Sequence, residues 1–227
     1  MSEMREYQKI NSVFKRDEKG QLIDGDWACP EFGYLAELDW RWTEKVDGTN
    51  VRVYLYHTDQ NAPVVQFGGR TDNAQMPTFL YDRLADIFTA SDLEAAFPDS
   101  QSATLYGEGY GRKVQKGAGN YNPEGCDFIL FDVRVGDWWL QPEDVADVAE
   151  KLGLRTVPVI GTFTLNEAIA KVRCKRVQSA WENVRIEGIV GTPTVPLFNR
   201  KGERIIVKVK GRDFPPTPEA SDKGGVK

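Results

Sequence analysis

A series of short segments in which apolar and polar residues alternate limits the fold of this 227-residue chain more than any other feature. Their period of two, their β-branched and aromatic residues, and the Gly, Pro, Asn or Asp that bound most of them are typical of strands. The six segments are residues 50–56, 64–70, 103–111, 127–135, 187–193 and 204–210. Helix-like stretches at residues 78–88, 142–152 and 166–177 lie among them without strict alternation of strand and helix. The pattern therefore predicts a mixed α+β fold with mainly antiparallel sheets flanked by helices.

Composition is that of a globular chain. With 41% hydrophobic and 28% charged residues, it is long enough to bury a sizeable core. No apolar run approaches the roughly 18 to 20 residues of a membrane span, and the N-terminus lacks the apolar core of a signal peptide, so we expect a cytoplasmic protein without a membrane partner. We predict one domain over residues 1–212 and a flexible tail over residues 213–227, where Pro, Gly and polar residues are frequent.

Cysteine and histidine usage narrows the possible chemistry. Cys29, Cys126 and Cys174 are odd in number and far apart, so free thiols are expected rather than a disulfide framework or a metal knuckle. The single histidine, His57, lies at the end of a strand and is expected in a solvated turn. A Ser-His-Asp triad, a HExxH zinc site and a histidine general base are therefore poor explanations of function.

Charge is unevenly distributed along the chain. The net charge of -5 and the pI near 5.1 argue against binding of nucleic acid by bulk charge. Basic residues nevertheless crowd two segments, residues 171–185 and residues 200–212. Each segment is either a solvated face or part of a local basic groove on an acidic protein.

Two lysine motifs stand far apart in the sequence. In EKVDGTN, Lys45 and Asp47 would point the same way on a strand, and Gly48 permits a tight turn. In RIIVKVK, the period of two places Lys208 and Lys210 on one face of a strand. Taken alone, the first motif is either a surface ion pair or a nucleophile, and the second is either a wet strand face or a pair of cations for phosphates. If the strands meet, the two cations favour loss of the proton from Lys45, and the motifs form one site.

Three further side chains have a plain and a functional interpretation. Glu108 in YGEGYG can accept from a ribose hydroxyl, although the segment does not match a dinucleotide fingerprint. Glu187 at the start of a predicted strand either ligates Mg²⁺ or marks an exposed end. Phe131 in DFILFDV is either a core residue or a ring that stacks on a purine.

The ordered set EKVDG, GGRT, YGEG, FILFDV, EGIV and VKVK, which spans residues 44–210, resembles the collinear motifs of the covalent nucleotidyltransferases. That superfamily contains the polynucleotide ligases and the capping guanylyltransferases. Within it, EKVDGTN looks like the ATP-dependent RNA ligases that seal nicks, including phage enzymes and kinetoplastid editing ligases. DNA ligases and capping enzymes usually carry arginine where Asn50 stands. The stretches YQKINSVF, VQKGAGNY and EKLGLRTVPVIGTFTLNEAI are also similar to the RNA ligase group.

The resemblance implies a nucleotidyltransferase (adenylation) domain and a reaction in three steps. Lys45 attacks the α-phosphorus of ATP to form lysyl-AMP, AMP passes to a 5′-phosphate end, and a 3′-hydroxyl attacks that end and expels AMP. Mg²⁺ or Mn²⁺ is the implied metal, held by Glu187 and Asp47. Lys208 and Lys210 are implied to contact the α-phosphate. The residues implied to bind the nucleotide are Glu44, Asp47, Asn50, Arg70, Glu108 and Phe131.

One departure from the family pattern concerns the polynucleotide. Most ligases and capping enzymes carry an OB-fold or a helical module after the last motif, and no such domain is predicted here. The basic segment at residues 171–185, or a protein partner, would then supply the grip on RNA, which is expected as a nicked duplex or an RNA–DNA hybrid in RNA repair. A minimal ATP-dependent DNA ligase, a capping guanylyltransferase and a non-catalytic nucleic-acid-binding module remain alternatives.

Overall fold

The computed structural model describes residues 4–214, which form two compact units. The first unit contains residues 4–9 and 46–158, and the second contains residues 10–45 and 159–214. Each unit has its own main sheet and its own hydrophobic core. The assignment of residues 1–212 to one domain stays a prediction.

The strands carry most of the regular structure in both units. In chain order they are β1 (Asn11–Ser12), β2 (Phe14–Arg16), β3 (Leu22–Trp27), β4 (Asp39–Lys45), β5 (Thr49–His57), β6 (Pro63–Gly68), β7 (Ser102–Gly111), β8 (Cys126–Val135), β9 (Trp138–Trp139), β10 (Arg155–Thr156), β11 (Val159–Thr164), β12 (Gly188–Pro193) and β13 (Val207–Lys210). The α-helices are α1 (Pro30–Tyr34), α2 (Thr78–Ile87), α3 (Ala90–Ala96), α4 (Pro142–Lys151) and α5 (Leu165–Arg173). Among the described residues, no helix is long and apolar enough to cross a membrane.

The first unit is built on a sheet with the strand order β10-β8-β7-β5-β6, and β9 pairs with β8. Only the β10–β8 pair is parallel among these described strands. Alternate residues of the long strands, such as Val53 and Leu105, pack with Leu80 of α2, Leu93 of α3 and Val148 of α4 in one core. The helices therefore cover one face of the sheet, and the residues of opposite parity, among them the predicted site residues of β5 and β7, lie on the other face.

The second unit is built on a sheet with the order β1-β13-β12-β4-β11 and a separate β2–β3 ribbon. Trp40 and Trp42 of β4 are fully buried with Val209 of β13 and Ile169 of α5. Helix α5 begins with a capping box in which Thr164 accepts from the Glu167 backbone N–H and the Glu167 side chain accepts from the Thr164 N–H. This cap satisfies backbone donors at the helix start and so fixes where α5 begins.

The structure confirms the predicted mixed α+β fold with mainly antiparallel sheets, and all six predicted strands are present. The strand predicted from residue 204 begins only at Val207. The three cysteines are free thiols, as predicted. The prediction for His57 is wrong, because its side chain is only 13% exposed and its Nε2 lies 3.2 Å from Glu94 Oε1.

The described part of the predicted tail is packed rather than loose. Asp213 forms an ion pair with Arg16 at 2.8 Å, and Phe214 is buried in the core of the second unit. The two described residues of the predicted tail therefore pack with the second unit. The rest of the predicted tail, residues 215–227, lies outside the described residues.

Candidate active site

The two lysine motifs meet on the sheet of the second unit. Strand β12 lies between β13 and β4, and Gly188 is in register with Lys210 on one side and with Lys45 on the other. Residues directly opposite each other on antiparallel strands point to the same face. Lys45 and Lys210 therefore share a face, and both reach Glu187, which directly precedes β12.

Glu187 holds the two lysines as a bridging carboxylate. Lys45 Nζ lies 2.8 Å from Glu187 Oε2, and Lys210 Nζ lies 2.6 Å from Glu187 Oε1. Burial by itself raises the pKa of Glu187, but Lys45 and Lys210 outweigh it and hold the pKa below its usual range. The carboxylate is therefore ionised at neutral pH, and the lysine of EKVDG is fixed beside a second cation.

Lys208 adds a third cation to this face. It is in register with Val190, which is also in register with Thr43 two residues before Lys45. Burial, followed by repulsion from Lys210, Lys45 and Arg16, lowers the pKa of Lys208 to about 8. Burial first, and the neighbouring cations second, therefore disfavour the charged form of Lys208.

Arg16 is a member of this cluster that sequence reasoning missed. Its Nη2 donates to Ser12 Oγ at 3.2 Å and to Asp213 Oδ2 at 2.8 Å, and Ser12 is in register with Lys208 on the parallel strand β1. Its only local signal is a place among charged residues in FKRDEKG, which resembles a solvated turn. The pairing of β1 with β13, distant in sequence, brings it to the site.

Glu44 points away from the lysines. Because neighbouring residues of a strand face opposite sides, Glu44 lies on the core face, where it is 1% exposed. Its two carboxylate oxygens accept from Ser179 Oγ at 2.7 Å and from the Ala180 backbone N–H at 2.9 Å. The carboxylate thus binds a loop of the same unit, and a nucleotide contact at this position would fall to the backbone.

In the first unit, two of the predicted nucleotide-binding residues are neighbours. Asn50 of β5 is directly opposite Glu108 of β7, so their side chains share the face that the helices leave uncovered. Asn50 Oδ1 is buried, and no donor among residues 4–214 reaches it. A buried acceptor of this kind costs free energy unless a ligand or water satisfies it.

Phe131 owes its direction to a β-bulge. Tyr106 is in register with Asp132 and Gly107 with Leu130, so Phe131 has no partner on β7. Its ring packs edge-on against Tyr7 with a centroid distance of 5.1 Å, and the Tyr7 hydroxyl donates to Asp132 at 2.8 Å. Phe131 is therefore not in the helix-covered core, and the tyrosine of YQKINSVF supports it.

Asp47 contacts the loop after β7 instead of continuing strand β4. A Cβ placed on Gly117 would lie 2.1 Å from Asp47 Oδ2, and the Gln115 amide donates to the Gly48 carbonyl oxygen. The structure also corrects the predicted reason for glycine at position 48, which was a tight turn. A Cβ there would lie 2.3 Å from the Gly109 carbonyl oxygen, so close approach between backbones, rather than a turn with positive φ, requires glycine.

Arg70 is exposed on the loop that follows β6. Buried Arg52 holds that loop, since it donates to the Gly69 carbonyl oxygen at 2.6 Å and to Asp72 Oδ1 at 2.9 Å.

The structure thus groups Lys45, Glu187, Lys208 and Lys210 in the second unit. In the first unit it pairs Asn50 with Glu108, and it places Asp47, Arg70 and Phe131 at separate positions of that unit. No group of three or more His, Cys, Asp or Glu suited to a metal ion occurs among the described residues.

A lysine held by a carboxylate, with two more lysines on the same face of a mainly antiparallel sheet, is an arrangement suited to covalent transfer of a phosphoryl-linked group. A family model described as RNA ligase matches residues 38–210. The chain belongs to the RNA ligase family. No match was found among curated proteins.

Solved structures agree with this assignment at the level of the fold. A mutant of the Naegleria gruberi RNA ligase with ATP and Mn is 20% identical with a TM-score of 0.60, and the match covers 90% of this chain and 57% of that one. An archaeal ATP-dependent RNA ligase is 17% identical with a TM-score of 0.59, and the match covers 92% of this chain and 49% of that one. The chain thus spans about half the length of these structures.

Proposed function

We propose that this protein is an ATP-dependent RNA ligase that joins 3′-hydroxyl and 5′-phosphate ends through a lysyl-AMP intermediate. The observation that carries the proposal is the ion-paired Lys45 among Lys208, Lys210 and Glu187, in a chain whose residues 38–210 match the RNA ligase family. Sealing of nicks and a role in RNA repair follow from the resemblance of EKVDGTN to nick-sealing ligases.

In the first step, Lys45 Nζ forms a bond to the α-phosphorus of ATP, the bond from that phosphorus to pyrophosphate breaks, and Nζ gives up a proton. A protonated lysine has no lone pair for this attack, so its charge must be disfavoured before the reaction. Lys208 and Lys210 place two further cations on the same face as the amine, and Glu187 positions it through their ion pair. When the phosphates of ATP bind to Lys208 and Lys210, the positive charges of these lysines stabilise the phosphoryl oxygens on which negative charge develops.

Mg²⁺ or Mn²⁺ is proposed as the metal, with Glu187 and Asp47 as the protein carboxylates that would hold it. The donor set fits, because Mg²⁺ is usually held by one or two carboxylates together with phosphates and waters rather than by an all-protein cage. When bound, the ion would neutralise charge on the phosphates. The predicted nucleotide contacts of Glu44, Asn50, Arg70, Glu108 and Phe131 are retained in this proposal, with that of Glu44 assigned to its backbone.

The proposal is tested with purified protein, a divalent metal, and ATP or GTP labelled at the α-phosphate. Label from ATP should remain on the denatured protein, and a nicked RNA duplex should be sealed faster than the same nick in DNA. Label from GTP alone would instead assign a capping guanylyltransferase, and faster sealing of DNA would assign a minimal DNA ligase. Absence of label with either nucleotide would contradict the proposal and favour a nucleic-acid-binding module.

Gly117→Ala tests the proposed role of Asp47. The added Cβ would overlap Asp47 Oδ2 and displace the carboxylate, so we expect lysyl-AMP formation to slow by about tenfold or more, with a higher metal concentration needed for half-maximal rate. Gly119→Ala in the same loop is the matched control, because its nearest neighbour, the Arg112 Cα, would be 3.7 Å from the new Cβ. Equal rates for the two variants in a metal titration would show that the position of Asp47 does not matter.

A further inference from the structure

A cavity of about 490 Å³ lies in the second unit beside the segment that leads from α5 to Glu187. Val172, Trp181 and Ile186 contribute apolar walls, and Gln178 and Asn183 contribute amide groups. The volume lies within the range of roughly 300 to 1,000 Å³ typical of small-ligand sites. An indole surface together with amide groups suits a planar heterocycle that carries hydrogen-bonding edges.

The charges around this cavity favour an anionic ligand. Lys175 and Arg185 line it, and Glu182 is the one acid among the described residues that do so. The basic residues of the predicted segment 171–185 therefore differ in what they contact. Arg173 is engaged inside the unit, since it pairs with Asp24 at 2.7 Å and lies over the Phe214 ring, whereas Lys175 and Arg185 face the cavity.

The backbone at Lys175 supports a use for its side chain. Lys175 follows the C-cap of α5 with a φ of 53°, and the N–H of Arg176 donates to the Lys171 carbonyl oxygen at 2.9 Å. This is a helix end at which glycine is the usual residue. A non-glycine residue in the left-handed region costs about 1 to 2 kcal/mol. A cation kept there despite that cost is consistent with a ligand that needs it.

The segment that lines the cavity is hydrogen-bonded to β4, the strand that carries Lys45. It lies on the face of that strand opposite Lys45. Ser179 and Ala180 line the cavity, and both donate to Glu44, whose side chain points to the face opposite Lys45. A nucleotide whose α-phosphate meets Lys45, Lys208 and Lys210 would occupy the lysine face. The cavity therefore suits a part of the substrate other than ATP.

We propose that this cavity binds an unpaired nucleobase of an RNA strand that extends beyond the nicked duplex, with Trp181 stacking on the base and with Lys175 and Arg185 contacting adjacent phosphates. The proposal rests on the function proposed above, which makes RNA the substrate. Single-stranded RNA is generally recognised in this way, by bases stacked on aromatic side chains and by basic residues along the backbone. The cavity thereby provides an RNA-binding site within the RNA ligase domain.

The first test is the binding of a fluorescein-labelled 12-nucleotide single-stranded RNA, followed by fluorescence anisotropy. Trp181→Ala should raise Kd about tenfold or more, and Trp181→Phe, which keeps a stacking ring, should recover most of the affinity. Trp138→Ala is the matched control, because Trp138 is 79% exposed in the first unit, and it should leave Kd unchanged. Equal Kd for the wild type and Trp181→Ala would overturn the proposal.

The second test uses the unaltered protein, so that it does not depend on how a variant folds. RNA carrying 5-iodouridine is bound and irradiated, and the cross-linked peptides are identified by mass spectrometry. A cross-link within residues 175–186 supports the proposal, and cross-links only elsewhere overturn it.

Labelling with ATP, measured in parallel, separates the two proposals. Loss of label in Trp181→Ala at unchanged RNA affinity would assign the cavity to the base of ATP and overturn the RNA site. Absence of label in the wild type would remove the ligase function, while the anisotropy and cross-linking results would still decide whether the cavity binds RNA.

Discussion

Lys45→Arg should abolish lysyl-AMP formation, with a loss of at least about 10³-fold, because it removes the proposed nucleophile. Arginine can still pair with Glu187, which lies 2.8 Å from Lys45 Nζ, so the local charge is preserved. Its guanidinium stays protonated and offers no lone pair for attack. The measurement is transfer of label from ATP to the denatured protein, with Lys45→Ala as a second variant that removes the charge as well.

Two controls make the result specific. Lys15→Arg changes another ion-paired lysine of the same unit, which is 55% exposed and 2.7 Å from Asp26, and should label like the wild type. RNA that already carries a 5′-adenylyl group needs no nucleophilic lysine, so Lys45→Arg should still seal it at a measurable rate. If Lys45→Arg labels normally with ATP, then Lys45 is not the nucleophile.

Glu187→Gln should reduce both activity and stability, because it removes the carboxylate that pairs with both Lys45 and Lys210 while keeping the shape of the side chain. The Glu187 side chain is only 14% exposed, so the two ammonium groups lose a largely buried partner. We expect a loss of about 3 kcal/mol in the free energy of unfolding and a decrease of about 100-fold in lysyl-AMP formation. Urea unfolding and the ATP-labelling rate measure the two effects.

The pH dependence identifies the origin of the stability loss. The pKa of folded Glu187 lies below the ordinary value of 4.5, so its contribution is fully present above that pH and is lost as the pH falls through the folded pKa. The difference in unfolding free energy between the wild type and Glu187→Gln should therefore be constant above about pH 5 and shrink below about pH 4.

Asp26→Asn is the control for this experiment. It breaks the Lys15–Asp26 pair, in which both side chains are exposed at 55% and 43%, and such a surface pair contributes less than about 1 kcal/mol. If the difference in unfolding free energy between the wild type and Glu187→Gln stays constant down to pH 3.5, then packing, rather than the ion pairs, causes the loss of stability.

The placement of Lys208 and Lys210 on one face could be predicted from the sequence, because it depends on strand geometry alone. The alternation in residues 204–210 placed Lys208 and Lys210 on one face, and the structure has both opposite the buried Val207 and Val209. The same rule separates Glu44 from Lys45, although the resemblance assigned both to the nucleotide site. Strand β4 is not among the six predicted segments, because Glu44 is charged although it is buried on the same face as Trp40 and Trp42.

Contacts between segments that are distant in the chain become visible only in the folded structure. Arg16 joins Lys208 through the pairing of β1 with β13, and the bulge at Phe131 directs its ring to Tyr7. Likewise, Gly117 contacts Asp47 only because the loop after β7 folds back. Side-chain direction within a strand is a local property of the backbone, so the six predicted strands, their faces and the lysine motifs follow from the local sequence. Register and loop packing depend on partners far along the chain, which no local pattern encodes.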